Sequence, residues 1–70
     1  MRITATARHV AKQVDNGMTL YIQGIGTISH SERQGEGTLI RFYFRDMPDT
    51  MIQLRESDVL QVWNDRARTG

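Results

Sequence analysis

Arg41, Tyr43 and Arg45 occupy every second position at the end of the stretch Thr38-Leu-Ile-Arg-Phe-Tyr-Phe-Arg45. In an extended chain, residues two apart project from the same face. Two guanidinium forks around a phenol ring can grip phosphate or carboxylate oxygens while the ring stacks on a base or on another side chain. The residues between them, Ile40, Phe42 and Phe44, project the other way and are wholly apolar. That alternation is the pattern of a strand with one buried and one wet face.

A second alternating segment, Thr50 to Arg55, places Ile52 and Leu54 on one face and Met51, Gln53 and Arg55 on the other. Matching the apolar faces, Phe44 with Ile52 and Phe42 with Leu54, leaves Asp46–Thr50 as the turn, where Pro48 fixes φ. The wet face then pairs Tyr43 with Gln53, Arg45 with Met51 and Arg41 with Arg55. Opposed guanidinium groups repel by up to about 1 kcal/mol, and a bridging anion would remove that penalty. Tyr21 and Gln23, expected on a neighbouring strand, would extend the face.

The candidate nucleic-acid or anion-binding residues are therefore Arg41, Tyr43, Arg45, Gln53 and Arg55, suited to phosphate contact with base stacking. The same residues also describe an ordinary wet sheet face, with arginine stems over tyrosine rings and charges balanced by Glu32, Glu36 or Asp46. Tyr43, Met47 and Met51 form a second candidate set. Their thioethers and ring suit an adaptable protein contact or a homodimer seam.

Other groupings point away from catalysis. His9 and His30 stand on separate elements with no carboxylate at ligand spacing, so no metal site is expected. Ser29-His30-Ser31 lacks the oriented base and oxyanion site of a nucleophilic centre. Gly24-Ile-Gly26 has neither the lysine nor the following helix of a phosphate loop. Asp46 and Asp49 flank a proline and serve a turn. The expectation is a protein that is not an enzyme and carries no cofactor.

Ala7, Val10, Ala11 and Val14 form one apolar stripe at helical spacing, with a threonine cap ahead and Asn16-Gly17 behind, predicting a helix over about 6–15. Its polar side carries Arg8 and Lys12. Strands are expected at about 18–29, bending at Gly24 and Gly26, and at 38–45, 50–55 and 59–63. Residues 30–37 read as a hairpin loop and Glu56-Ser57-Asp58 as a single turn. Residues 64–70, with Arg66 and Arg68 but no apolar anchor, read as a disordered tail.

With 70 residues, the chain makes one domain, over 1–63, small enough that a partner or a second copy would help it persist. Formal net charge is +1, so bulk electrostatics do not select a nucleic-acid partner. Of its nine basic residues all but Lys12 are arginine, a choice that fits planar anion recognition. There is no cysteine, which removes the disulfide-scaffold class. The N-terminus lacks the apolar core of a signal peptide, and no run reaches the ~18–20 apolar residues of a membrane span. A cytoplasmic protein is expected.

From residue 18 to 63 the order is distinctive: a strand bent at glycines, a loop, a central strand, a tight turn, a strand, a one-turn Glu-Ser-Asp connector and a last short strand. This order resembles the SH3-like small β-barrel shared by Tudor, chromo-barrel and CarD-type modules. The resemblance implies an architecture and no ligand-binding residues, since Tyr21, Tyr43 and Trp63 do not make a methyl-lysine cage. The fold expected is mainly β (α+β): a small antiparallel barrel or curled sheet of four to five strands with one N-terminal helix. The role expected is a non-enzymatic module that contacts nucleic acid or an acidic protein surface. The alternative is a protein-interaction or self-associating module, a role that also fits a small phage or mobile-element protein.

Overall fold

A computed structural model describes residues 2–34 and 37–64 of the chain. It begins with a strand that periodicity did not single out, β1 (Arg2–Thr6), whose Ile3 and Ala5 turn inward. Thr6 then caps the helix α1 (Ala7–Asp15): its backbone is extended (φ −72°, ψ 155°) and its Oγ1 accepts the His9 N–H at 3.2 Å. The helix ends where Gly17, at φ +90°, lets the Gly17 N–H reach the Val14 carbonyl and the Met18 N–H the Gln13 carbonyl, both at 3.0 Å. Those two bonds satisfy carbonyls that a helix end would leave unpaired. Ala7, Val10 and Ala11 are buried, as the apolar stripe requires.

The remaining strands are β2 (Leu20–Ile22), β3 (Gly26–Arg33), β4 (Leu39–Phe44), β5 (Met51–Arg55) and β6 (Val59–Asn64). They join β1 in one antiparallel sheet with the order β1-β6-β2-β3-β4-β5. The protein is thus mainly β, with six strands where four to five were expected, and one short helix packed inside the curl.

Three expected elements are corrected. Residues 18–29 are two strands of a hairpin, since Tyr21 pairs with Thr27 and Ile22 with Gly26. Gly24 (φ +85°) and Gly26 (φ +142°) supply conformations that reverse the chain where a bend was expected. Residues 30–33, expected in a loop, continue β3 beside β4. Asn64, expected in the tail, ends β6; residues 65–70, with Arg66 and Arg68, lie outside the described residues.

The sheet must curl because of its last connection. β5 is one edge strand, yet Glu56-Ser57-Asp58 leads directly to β6 near the other edge. In a flat sheet these strands would lie four spacings apart, about 19 Å. Three linking residues reach at most about 14 Å. Curling brings the ends together, and the helix start fixes them there: the Ala7 N–H donates to the Asp58 carbonyl at 2.7 Å and the Arg8 N–H to the Glu56 carbonyl at 3.0 Å. The curl stops short of closure, since no ladder joins β1 to β5.

Inside the curl lie Leu20, Ile28, Ile40, Phe42, Phe44 and Val62 with the helix stripe, and Ile52, Leu54 and Leu60 pack at the margin. Ile40, Phe42 and Phe44 are core, as their alternation predicts, at 0 %, 0 % and 3 % exposure. Among the described residues no polar side chain is buried, so this stability is chiefly that of apolar burial. Phe42→Ala is expected to cost about 3–5 kcal/mol, comparable with the whole stability of so small a core. Urea titration followed by circular dichroism should find that variant largely unfolded without denaturant. Gly24→Ala meets no neighbour within 4 Å, so its expected loss of about 1 kcal/mol is that of a left-handed backbone alone. The same titration would show this as a lower midpoint at unchanged slope.

Candidate functional site

The wet face of β3, β4 and β5 is built row by row from the register. One row runs Glu32–Arg41–Gln53 and the next His30–Tyr43–Met51. Residues directly opposite on antiparallel strands share a face, so each row is contiguous. Arg55 lies opposite Leu39, and Arg45 lies beyond the last β4–β5 pair.

The expected register is therefore corrected by two residues. Arg41 faces Gln53 and not Arg55; Tyr43 faces Met51 and not Gln53; Arg45 has no partner on β5. The cause is the turn. The Arg45 N–H donates to the Thr27 carbonyl of β3 at 3.0 Å, and the Thr50 N–H to Met47 at 2.9 Å. β4 ends at Phe44 and β5 begins at Met51, so residues 45–50 form a longer link than Asp46–Thr50 alone. A shift of two leaves every side chain on its expected face and changes only its neighbour.

His30 and Glu32 join the face because of a bulge. The ladder slips between Ile28, opposite Phe44, and His30, opposite Tyr43, leaving Ser29 unpaired. Without the extra residue, His30 and Glu32 would share the inward face of Ile28; with it they turn outward, and Ser31 and Arg33 turn toward the helix side. Periodicity could not find them, since Ser29 to Arg33 contains no apolar residue to mark a face. The one available signal was length: a central strand as long as β4 needs partners of similar reach on both sides.

Side chains on this face order one another. The His30 and Tyr43 rings stack at 4.6 Å between centroids with 10° between planes. The Tyr43 hydroxyl donates to Glu32 Oε2 at 3.3 Å, and Glu32 Oε1 lies 3.9 Å from His30 Nε2. Ser29 Oγ is 2.9 Å from His30 Nδ1, and Arg41 Nε donates to Gln53 Oε1 at 3.0 Å. These contacts are solvent-exposed, each worth under about 1 kcal/mol; together they hold a fixed surface. Met51 and Met47, 41 % and 42 % exposed, continue it toward the turn.

The other expected residues lie elsewhere. Tyr21 stands on β2, between Thr27 and Trp63, with β3 separating it from β4. Arg8 and Lys12 line a cleft of about 380 Å³ with Ala11, Asp15, Ser31 and Arg33, on the helix side of the sheet. There Arg33 is paired with Glu56 at 3.0 Å. Trp63 is half-buried, with the Arg2 guanidinium 6.0 Å from its ring centroid. Glu36 lies outside the described residues. Among the described residues no three His, Cys, Asp or Glu side chains gather as metal ligands, and no helix is long and apolar enough to cross a membrane.

A double-mutant cycle with His30→Ala and Tyr43→Ala should give a coupling of about 0.5 kcal/mol or more by urea denaturation. Strict additivity of the two losses would show that the stack does not order the face.

Compared with protein-family models, curated proteins and solved structures, the chain matches none of them, and its role is argued from this geometry.

Proposed function

We propose that this chain is a non-enzymatic, cytoplasmic binding module whose ligand is another protein. One observation carries the reading: the register sets Tyr43 beside Met51, with His30 stacked on the tyrosine from the opposite side. The result is an apolar and aromatic strip across three strands, with Arg41 in the adjoining row, Arg45 beyond Tyr43 on its other side and Arg55 two rows away. A ring and a thioether supply contact area, the ring at low entropic cost and the thioether adaptably. Arginines at a rim select partners with acidic surroundings and speed encounter more than they add affinity. The ligand this fits is an apolar protrusion ringed by carboxylates.

Nucleic acid is the second reading, favoured by the stacked His30–Tyr43 rings, which resemble a base-stacking platform. Three features weigh against it. Arg41 and Arg55 are not opposed, Glu32 sits within the face, and the net charge is only +1. The SH3-like architecture belongs to the same proposal: the run β3, loop, β4, turn, β5, one-turn connector, β6 supports it. The β2–β3 hairpin and the added β1 are departures from the single bent strand on which that resemblance was drawn.

The test uses matched baits. Full-length chain, Met51→Glu, Tyr43→Ala and a Gln61→Glu control on β6 are immobilised after circular dichroism shows each folded. A partner retained by the wild type and the control, and lost at least about tenfold by the two face variants, is the expected result. Anisotropy titrations with single- and double-stranded oligonucleotides at falling salt provide the opposing arm. Binding that weakens steeply with salt, with a slope reduced by Arg41→Ala, would replace the protein reading with the nucleic-acid one.

A further inference from the structure

The sheet is open, and β5 is one of its two edges. The Glu56 N–H donates to the Thr38 carbonyl, which fixes the alternation: Ile52, Leu54 and Glu56 direct their backbone groups to β4, and Met51, Gln53 and Arg55 direct theirs outward. Asp58 closes one end of that outward row. Its Oδ2 accepts the Arg55 N–H at 2.8 Å and its own N–H donates to the Arg55 carbonyl at 2.9 Å. Pro48 and the Met47–Thr50 turn close the other end. What remains open is a two-residue edge, the N–H and C=O groups of Met51 and Gln53.

We propose that this edge pairs with the same edge of a second copy, in an antiparallel two-fold seam centred on Ile52. In that register Met51 of one chain lies opposite Gln53 of the other, twice over. All four outward groups on each chain then find partners, with the Ile52 side chains adjacent at the axis. The side chains agree with the backbone. Asp49, exposed in the turn just ahead of β5, and Arg55, the exposed last residue of β5, flank the seam, so the antiparallel two-fold brings Asp49 of one chain to the end where the partner's Arg55 stands, and the reciprocal approach repeats at the far end. Neither Asp49 nor Arg55 has a side-chain partner among the described residues of its own chain.

The other edge, β1, offers no such complement. A two-fold pairing centred on Thr4 sets Arg2 against Thr6 at both ends. Between the two closed ends of the β5 edge, Met51–Arg55 itself holds no proline, lysine or bulge that would block pairing. The β5 seam uses backbone, whereas the binding face above uses side chains, so the two proposals stand or fall separately.

Sedimentation equilibrium of the full chain, at concentrations raised to about 1 mM, tests this. Monomers should give way to dimers and to nothing larger, because a two-fold seam closes on itself. Asp49→Arg and Arg55→Asp each set like charges across both ends, and each should raise the dimer dissociation constant about tenfold. The double variant D49R/R55D should restore it. Gln53→Pro removes an N–H that β4 does not use and should abolish the dimer while circular dichroism stays that of the folded chain; if it does not fold, the charge-swap series decides alone. A monomer at every concentration overturns the proposal. So do single reversals without effect, a double variant that does not recover, or a dimer lost on Thr4→Pro and kept on Gln53→Pro.

Discussion

Glu56-Ser57-Asp58 must carry the chain from one edge of a six-stranded sheet almost to the other, and it is too short to do so unless the sheet bends. Everything else is fitted to that bend. The Asp58 carbonyl takes the first helical N–H, its amide and carboxylate take both backbone groups of Arg55, and the Glu56 carbonyl takes the N–H of Arg8. These bonds join β5, β6 and the helix start at one corner. Curling also resolves a problem of scale. In a chain of 70 residues, one nine-residue helix could cover only part of one face of a flat sheet; a curled one presents inward positions from every strand to a common centre, so a small chain can bury Phe42 and Ile40 completely.

That arrangement decides where function can reside. Every buried position is taken by apolar packing, and nothing polar is buried among the described residues. Recognition is left with the outer face, the edges and the shallow cleft beside α1. On the outer face the bulge at Ser29 has the largest effect, since one extra residue turns His30 and Glu32 from the helix side to the side of Tyr43. The stack, the hydroxyl–carboxylate bond and the Arg41–Gln53 bond follow from it and from the β4–β5 register. A surface already held in one geometry loses less entropy on binding than a loose one.

The sequence made much of the fold legible wherever burial imposed a period. The helix and the inward faces of β4 and β5 follow from apolar spacing, the last strand was read without a face, and the threonine cap and one-turn connector follow from their polar residues. Legibility failed where no such period exists. β1 is short and its inward residues are an isoleucine and an alanine. The Gly24-Ile25-Gly26 stretch permits a bend or a reversal equally, and only pairing decides. Residues 29–33 are polar throughout, so β3's extension and its bulge left no trace in the apolar spacing. In the site, the faces of Arg41, Tyr43, Met51, Gln53 and Arg55 were readable because parity survives a two-residue slip. Their neighbours were not, because the register follows from the length of the β4–β5 link, residues 45–50, which no apolar spacing marks.

The register error carries a general lesson about which functional inferences survive it. Parity rests on many residues at once, and a one-residue slip would expose Ile52 and Leu54, so packing defends it strongly. Translation by two residues moves no side chain between faces, and the core hardly opposes it; the turn alone does. An inference that needs two particular residues opposed, such as an anion clasped by Arg41 and Arg55, therefore rests on the least protected feature of a hairpin. An inference that needs only a class of residues on one face rests on the best protected. The shift that separated those arginines brought Tyr43 to Met51, and so changed the surface from a candidate anion clasp into an aromatic and thioether strip with Arg41 in the next row and Arg55 two rows away.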